Sequence, residues 1–221
     1  MKSIAIYAYY TRAGAHICFL TLGLGACSSL QPQARATVYD FGPGPIVAVP
    51  TTRMAPLPAL VLAEVEASAA LDSTAVLYRI AYSDAQQLRP YAQTRWSMPP
   101  AQLLRQRVRE QMGQRRSVLN AAQGVVVGKP AMTLHLDLDE FSQLFDTPDR
   151  SNGLVRLRAT LGQGGEGAER LLAQRSFIVQ RPASTGDAAG GVRALAEATD
   201  AAIAQMEQWV QQVEAATATG R

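Results

Sequence analysis

Cys27 is the residue whose setting points most directly to chemistry. It closes Leu24-Gly25-Ala26-Cys27 at the end of an apolar run, the arrangement of a bacterial lipobox: small residues before a cleavage point, then a cysteine that becomes the new N-terminus and carries lipid. Two or more acyl chains make such an anchor stable, because each buried methylene contributes about 0.8 kcal/mol. A second set is His135, Asp137 and Asp139, with Glu140 and Asp146 nearby. Imidazole and carboxylates on one strand face can ligate a metal. The same residues alternate with Leu134, Leu136 and Leu138, so they also read as the solvated face of a half-buried strand. That reading is preferred, because no further ligand cluster joins them.

Other motifs carry less. His135 is the one histidine left after cleavage, so a Ser-His-Asp hydrolase would have to use it, yet no Gly-x-Ser-x-Gly elbow occurs. Gly162–Gly167 is glycine-rich, but it joins two strand-like segments rather than a strand and a helix, and Glu166 would repel phosphate. Arg105, Arg107, Arg109, Arg115 and Arg116 stand against Glu110 along one predicted helix. They could meet anionic headgroups or an acidic partner, and a solvated helix face is the default reading. The expectation is a non-enzymatic protein with no cofactor and no metal site.

Met1–Ala26 has the layout of a secretory signal, with Lys2 and Arg12 as its only charges and an apolar stretch from Ala13 to Leu24. That stretch is short of the roughly 20 apolar residues a membrane span needs. Of 21 basic residues, those two leave with the signal, so 19 face 18 acids and the formal charge falls from +3 to +1. This balance does not suit nucleic-acid binding. Cys18 leaves as well and Cys27 is acylated, so no disulfide can form and a hydrophobic core must hold the fold. The composition, 48% apolar, can supply one such core.

The expected elements follow from hydrophobic period. A tether at 27–36 precedes a short strand at Thr37–Phe41 and a proline-rich loop at Gly42–Pro58. Strands follow at Ala59–Ser68, Ala75–Tyr82 and Tyr91–Trp96. A helix runs to Arg116 with Ser97 as its cap and Pro99-Pro100 in its first turn. Ser117–Val127 reads as strand and turn. Thr133–Phe145, Leu154–Leu161 and Arg170–Arg181 form an antiparallel meander with turns at Thr147–Gly153 and Gly162–Gly167. After a loop at Ala183–Gly191, a long helix carries Val192, Leu195, Thr199, Ala202, Ile203, Met206, Val210 and Val213 on one stripe, with Asp187 able to cap its start. Ala215–Arg221 reads as a frayed tail. Trp96 and Trp209 read as packing residues. The fold class is α/β: a single domain with an antiparallel or mixed sheet, helices packed against it and a long C-terminal helix.

These elements, in this order, resemble the ABC-type transport auxiliary lipoprotein family. The resemblance rests on the lipobox followed by Tyr39-Asp40-Phe41-Gly42, on Arg95-Trp96-Ser97-Met98-Pro99-Pro100 before Leu103-Leu104, on Leu134–Phe141, and on Val192-x-x-Leu195 through Trp209. Phe41 stands where the family usually has leucine. The resemblance implies residues 1–26 as signal peptide, 27–36 as lipidated tether, 37–215 as the family domain and 216–221 as a flexible tail. It also implies an outer-membrane lipoprotein that faces the periplasm and docks an MCE-family protein of an ABC transporter for intermembrane lipid transport. Phospholipid contact and a homo-oligomer matching a ring-shaped partner belong to the same expectation. Ser28, rather than aspartate, after Cys27 favours the outer membrane in that class of proteins. The alternatives are a structural or assembly lipoprotein of a secretion or pilus machine and, less favoured, a lipid-anchored hydrolase.

Overall fold

The computed structural model describes residues 35–44, 56–120, 131–164 and 169–219. Met1–Arg35 and Ala36–Arg221 are separate units, and the fold described is that of the second. Its elements are β1 (Thr37–Tyr39), β2 (Leu60–Ala67), β3 (Ala75–Ile80), a single turn α1 (Ala81–Asp84), β4 (Ala85–Trp96), α2 (Pro100–Met112), β5 (Val118–Leu119), β6 (Met132–Thr147), β7 (Arg150–Gly164), β8 (Glu169–Pro182) and α3 (Ala188–Thr219). The domain is thus mixed α/β, with a long C-terminal helix.

Among the described residues, β6 organises one mixed eight-stranded sheet. Along one edge it pairs antiparallel with β7, which pairs antiparallel with β8, as the period-two pattern predicts. Its other edge is shared. β2 runs parallel to residues 132–138 and β3 parallel to residues 143–145. Beyond β3 lie β4 and then β1, and beyond β2 lies β5. A bulge at Asp139 changes the parity of β6 between these two partners: Leu138 faces Leu157, while Glu140 faces Arg156. Leu134, Leu136 and Leu138 point into the core before the bulge and Phe141 after it, each no more than 2% exposed. One extra residue in a strand has this effect on side-chain direction.

α3 covers the inner face of the meander. All the residues of its predicted stripe from Val192 to Val210 are buried, and each fully buried large apolar side chain is worth about 1.5–3 kcal/mol. Gly153 permits the close approach: a Cβ there would stand 2.5 Å from the backbone of Ala194 and Leu195. Trp209 meets Phe177 of β8 edge-on at 5.9 Å, and Trp96 packs on Phe41 and Phe141.

Several boundaries differ from the sequence expectations. Thr147–Gly153 is not a seven-residue turn, because Thr147 already pairs with Arg150. The polar residues that suggested a loop are used inside the sheet: Gln143 donates to Ser151 Oγ (2.8 Å) and Asn152 to Asp146 (2.6 Å). β7 likewise continues to Gly164, which faces Glu169. β4 starts at Ala85 and passes through Pro90, which is tolerated at an irregularity where Ala75 pairs with Arg95 but Leu77 with Pro90. Tyr82 lies in α1, beyond the end of β3. Ser97 does not cap α2; its amide donates to the Tyr39 carbonyl (2.7 Å). α2 stops at Met112 and α3 continues through Ala215 to Thr219. Most of Gly42–Pro58 and Ser117–Val127 falls outside the described residues.

Candidate functional site

Leu24, Gly25, Ala26 and Cys27 lie outside the described residues. What the structure shows is how the chain that follows them is fixed to the domain. β1 begins ten positions after Cys27 and pairs parallel with Thr94–Trp96 of β4. Asp40 then accepts the Gly42 amide (2.8 Å), and Gly42 and Gly44 adopt φ of +66° and +69°, a region favourable to glycine. This tight turn presents Phe41 to Trp96 at 5.6 Å and to Phe141 at 6.0 Å.

Arg107 of α2 completes the clamp. Its Nη2 donates to the Phe41 carbonyl (2.9 Å) and its Nε to Asp200 of α3 (2.8 Å), while Glu110 lies 3.4 Å from Nη1. Gln111 donates to the same Asp200 oxygen (2.7 Å). Arg107 is only 4% exposed. A buried guanidinium needs carboxylate and carbonyl partners on all sides, and here they come from the β1 turn, α2 and α3. Arg116, just beyond α2, is also buried and forms a two-pronged pair with Glu214 at 2.6 and 3.1 Å. The solvated-face reading of this set of five arginines is therefore corrected for two of them, Arg107 and Arg116. The signal was present, since position 107 lies three and four residues from Leu104 and Leu103, inside the apolar stripe. Beside the clamp is a half-open cleft of about 380 Å³, lined by Val38, Tyr39, Phe41, Ser97, Val192, Arg193 and Ala196 among others.

His135, Asp137 and Asp139 are on the outer face, as the alternation predicts, but they do not converge. His135 Nε2 meets Glu169 at 2.9 Å, whereas Asp137 and Asp139 both meet Arg158, at 3.4 and 3.1 Å. The carboxylates are engaged by a guanidinium, and no group of three or more ligating side chains that could hold a metal occurs among the described residues. Gly164 and Glu169 face each other in an antiparallel pair, so the glycine-rich segment between them joins two strands.

Tyr91 was not singled out by sequence. Its hydroxyl donates to Gln143 Oε1 (2.7 Å), linking β4 to the Gln143–Ser151 pair. Burial, with smaller contributions from Tyr78 and Asp187, pushes its pKa up to about 12. It is a neutral donor that ties three strands together.

A sequence model for the ABC-type transport auxiliary lipoprotein component matches residues 39–207. The chain belongs to this family. The match opens at Tyr39, the last residue of β1, and closes within α3, so it includes β2 to β8, α2 and the Arg107–Asp200 tie. As a family member, the chain is a non-catalytic auxiliary component of an ABC-type transport system. Two crystal structures share its fold. A protein from Xanthomonas campestris is 20% identical, with a TM-score of 0.65 over 83% of this chain and 99% of that one. An uncharacterized protein is 16% identical, with a TM-score of 0.57 over 80% and 99%. No curated protein matches by sequence. Among the described residues, no helix is long and apolar enough to cross a membrane.

Proposed function

We propose that Cys27 is lipidated, that its acyl chains hold the domain on the periplasmic face of the outer membrane, and that the domain docks the MCE-type periplasmic protein of an ABC transporter for lipid transport between membranes. The observation that carries the reading is the family match over residues 39–207, downstream of a lipobox. The clamp supports it mechanically. A chain anchored at Cys27 transmits any pull through β1 and Phe41, and the Arg107 tie spreads that pull into α2 and α3. Energy for transport comes from the ATPase of the system. Phospholipid contact and a ring of copies matching the partner's shape belong to the same proposal.

The test is crosslinking in cells, capture on a C-terminal tag and identification of bound protein and lipid, with Cys27→Ala in parallel. The expected result is an MCE-type protein recovered with the wild type and depleted with Cys27→Ala. Recovery of a secretion or pilus machine in its place would sink the proposal.

A further inference from the structure

Each of the sheet's other two outer strands is short: β1 has three residues and β5 has two. The third, β8, has fourteen, and among the described residues it pairs only with β7. Natural sheets normally shorten, cover or break an edge, because a row of unpaired N–H and C=O groups is a template for another strand. Among the described residues no strand covers the far side of β8, and α3 lies on its face.

The side chains along this edge favour a particular occupant. Leu171 and Ile178 are 64% and 60% exposed. The register places Leu171 beside Gly162 and Ile178 beside Arg156, on the face away from α3. Arg170, Arg175 and Arg181 punctuate the strand. None of them, nor Arg156, is in an ion pair among the described residues, whereas the neighbouring Arg158 holds two carboxylates. The one acid on β8, Glu169, is taken up by His135. The edge therefore offers backbone pairing, two apolar contacts and a surplus of positive charge.

We propose that the open edge of β8 docks an extended segment of a partner protein, rich in acidic residues alternating with apolar ones, which adds to the sheet as a further strand. Main-chain hydrogen bonds would supply affinity, and the arginines would select the partner by charge. A second copy of β8 fits less well, since it would bring two cationic edges together with no free acid on either. An anionic membrane would attract the arginines but would leave the backbone row unpaired. The inference rests on the fold and stands apart from the identity of the transport partner.

The experiment uses the full lipidated chain in detergent and a synthetic peptide of about ten residues alternating glutamate and valine. Binding is read by fluorescence anisotropy, and β8 by amide hydrogen exchange over 169–182. The expected result is an edge that exchanges fast in the free chain and becomes protected with the peptide. Backbone N-methylation of the peptide, or lysine in place of glutamate, abolishes binding. Arg175→Glu with Arg181→Glu weakens it by roughly tenfold or more, with unchanged circular dichroism. Ile178→Lys, a single exposed change, also weakens it.

Four results would overturn the proposal. The edge could already be protected in the free chain, or the N-methylated peptide could bind equally well. The chain could sediment as an oligomer that Ile178→Lys dissociates, which would assign the edge to a second copy. Or the arginine pair could be required for binding phosphatidylglycerol vesicles while the peptide fails to bind, which would assign the surface to lipid.

Discussion

The seam between α2 and α3 and the outer face of the β6–β8 meander are both laced with arginine–carboxylate pairs, and they use them in opposite ways. At the seam, the Arg116 side chain has no exposed surface and its partner Glu214 has 11%. On the outer face, Arg158 is 44% exposed and its partners are about a third exposed. Water and salt screen the outer pairs, whose worth is typically below 1 kcal/mol. The Arg116–Glu214 pair has no such substitute, so losing one partner leaves a charge stranded. The pairing chemistry is the same, and burial decides whether it positions elements or only keeps a surface soluble.

The sharpest way to break this comparison is Arg116→Ala. It should cost about 3 kcal/mol in urea unfolding, because Glu214 is left buried and unpaired. The joint change Arg116→Met and Glu214→Leu should recover most of that loss. A double variant as unstable as the single one would mean that the seam needs the charges themselves.

Next in size is Gly153→Ala, expected to cost about 2–3 kcal/mol, since the new Cβ meets helix backbone that cannot step aside. Gly164→Ala, at a site where a Cβ meets nothing within 4 Å, is the matching control and should be near neutral. A smaller effect is expected at Asp187, which accepts the Thr185 hydroxyl and the Gly190 amide at the start of α3. Those two bonds, in that order, with Arg193 adding to them, hold its carboxyl below the usual value of 3.8. The folded pKa is depressed, so the cap contributes fully above the usual value and is lost as pH falls through the lowered one. Asp187→Asn should flatten the acid limb of a Tm-against-pH curve and leave its neutral portion parallel. Smallest of all, Arg158→Ala should shift stability by no more than about 0.5 kcal/mol, and less as salt is added.

The same contrast explains what was legible in the sequence. The meander and α3 were readable because burial on one face imposes period two on Leu134–Leu138 and Val155–Leu161, and a helical period on Val192–Val210. The outer face was readable as polar, though not as the cross-strand pairs that occupy His135, Asp137 and Asp139, since partners 19 or more residues away follow from register. Turn length was overestimated where polarity was taken for exposure: Ser151 and Asn152 are paired within the sheet. Arg107 and Arg116 were read as solvated because charge outweighed their stripe positions, and their partners Asp200 and Glu214 lie more than 90 residues away. The Tyr39–Gly42 motif marked an opening strand, but nothing local in the sequence joins Phe41 to α2.

The anchored-auxiliary account is tested most directly by the intact mass of the mature chain purified from membranes, with fragmentation of its N-terminal peptide. The account predicts a chain beginning at Cys27, carrying diacylglycerol and a further acyl group, and recovered with outer-membrane fractions. A mature chain that begins elsewhere, or one with Cys27 unacylated in the soluble fraction, would contradict it.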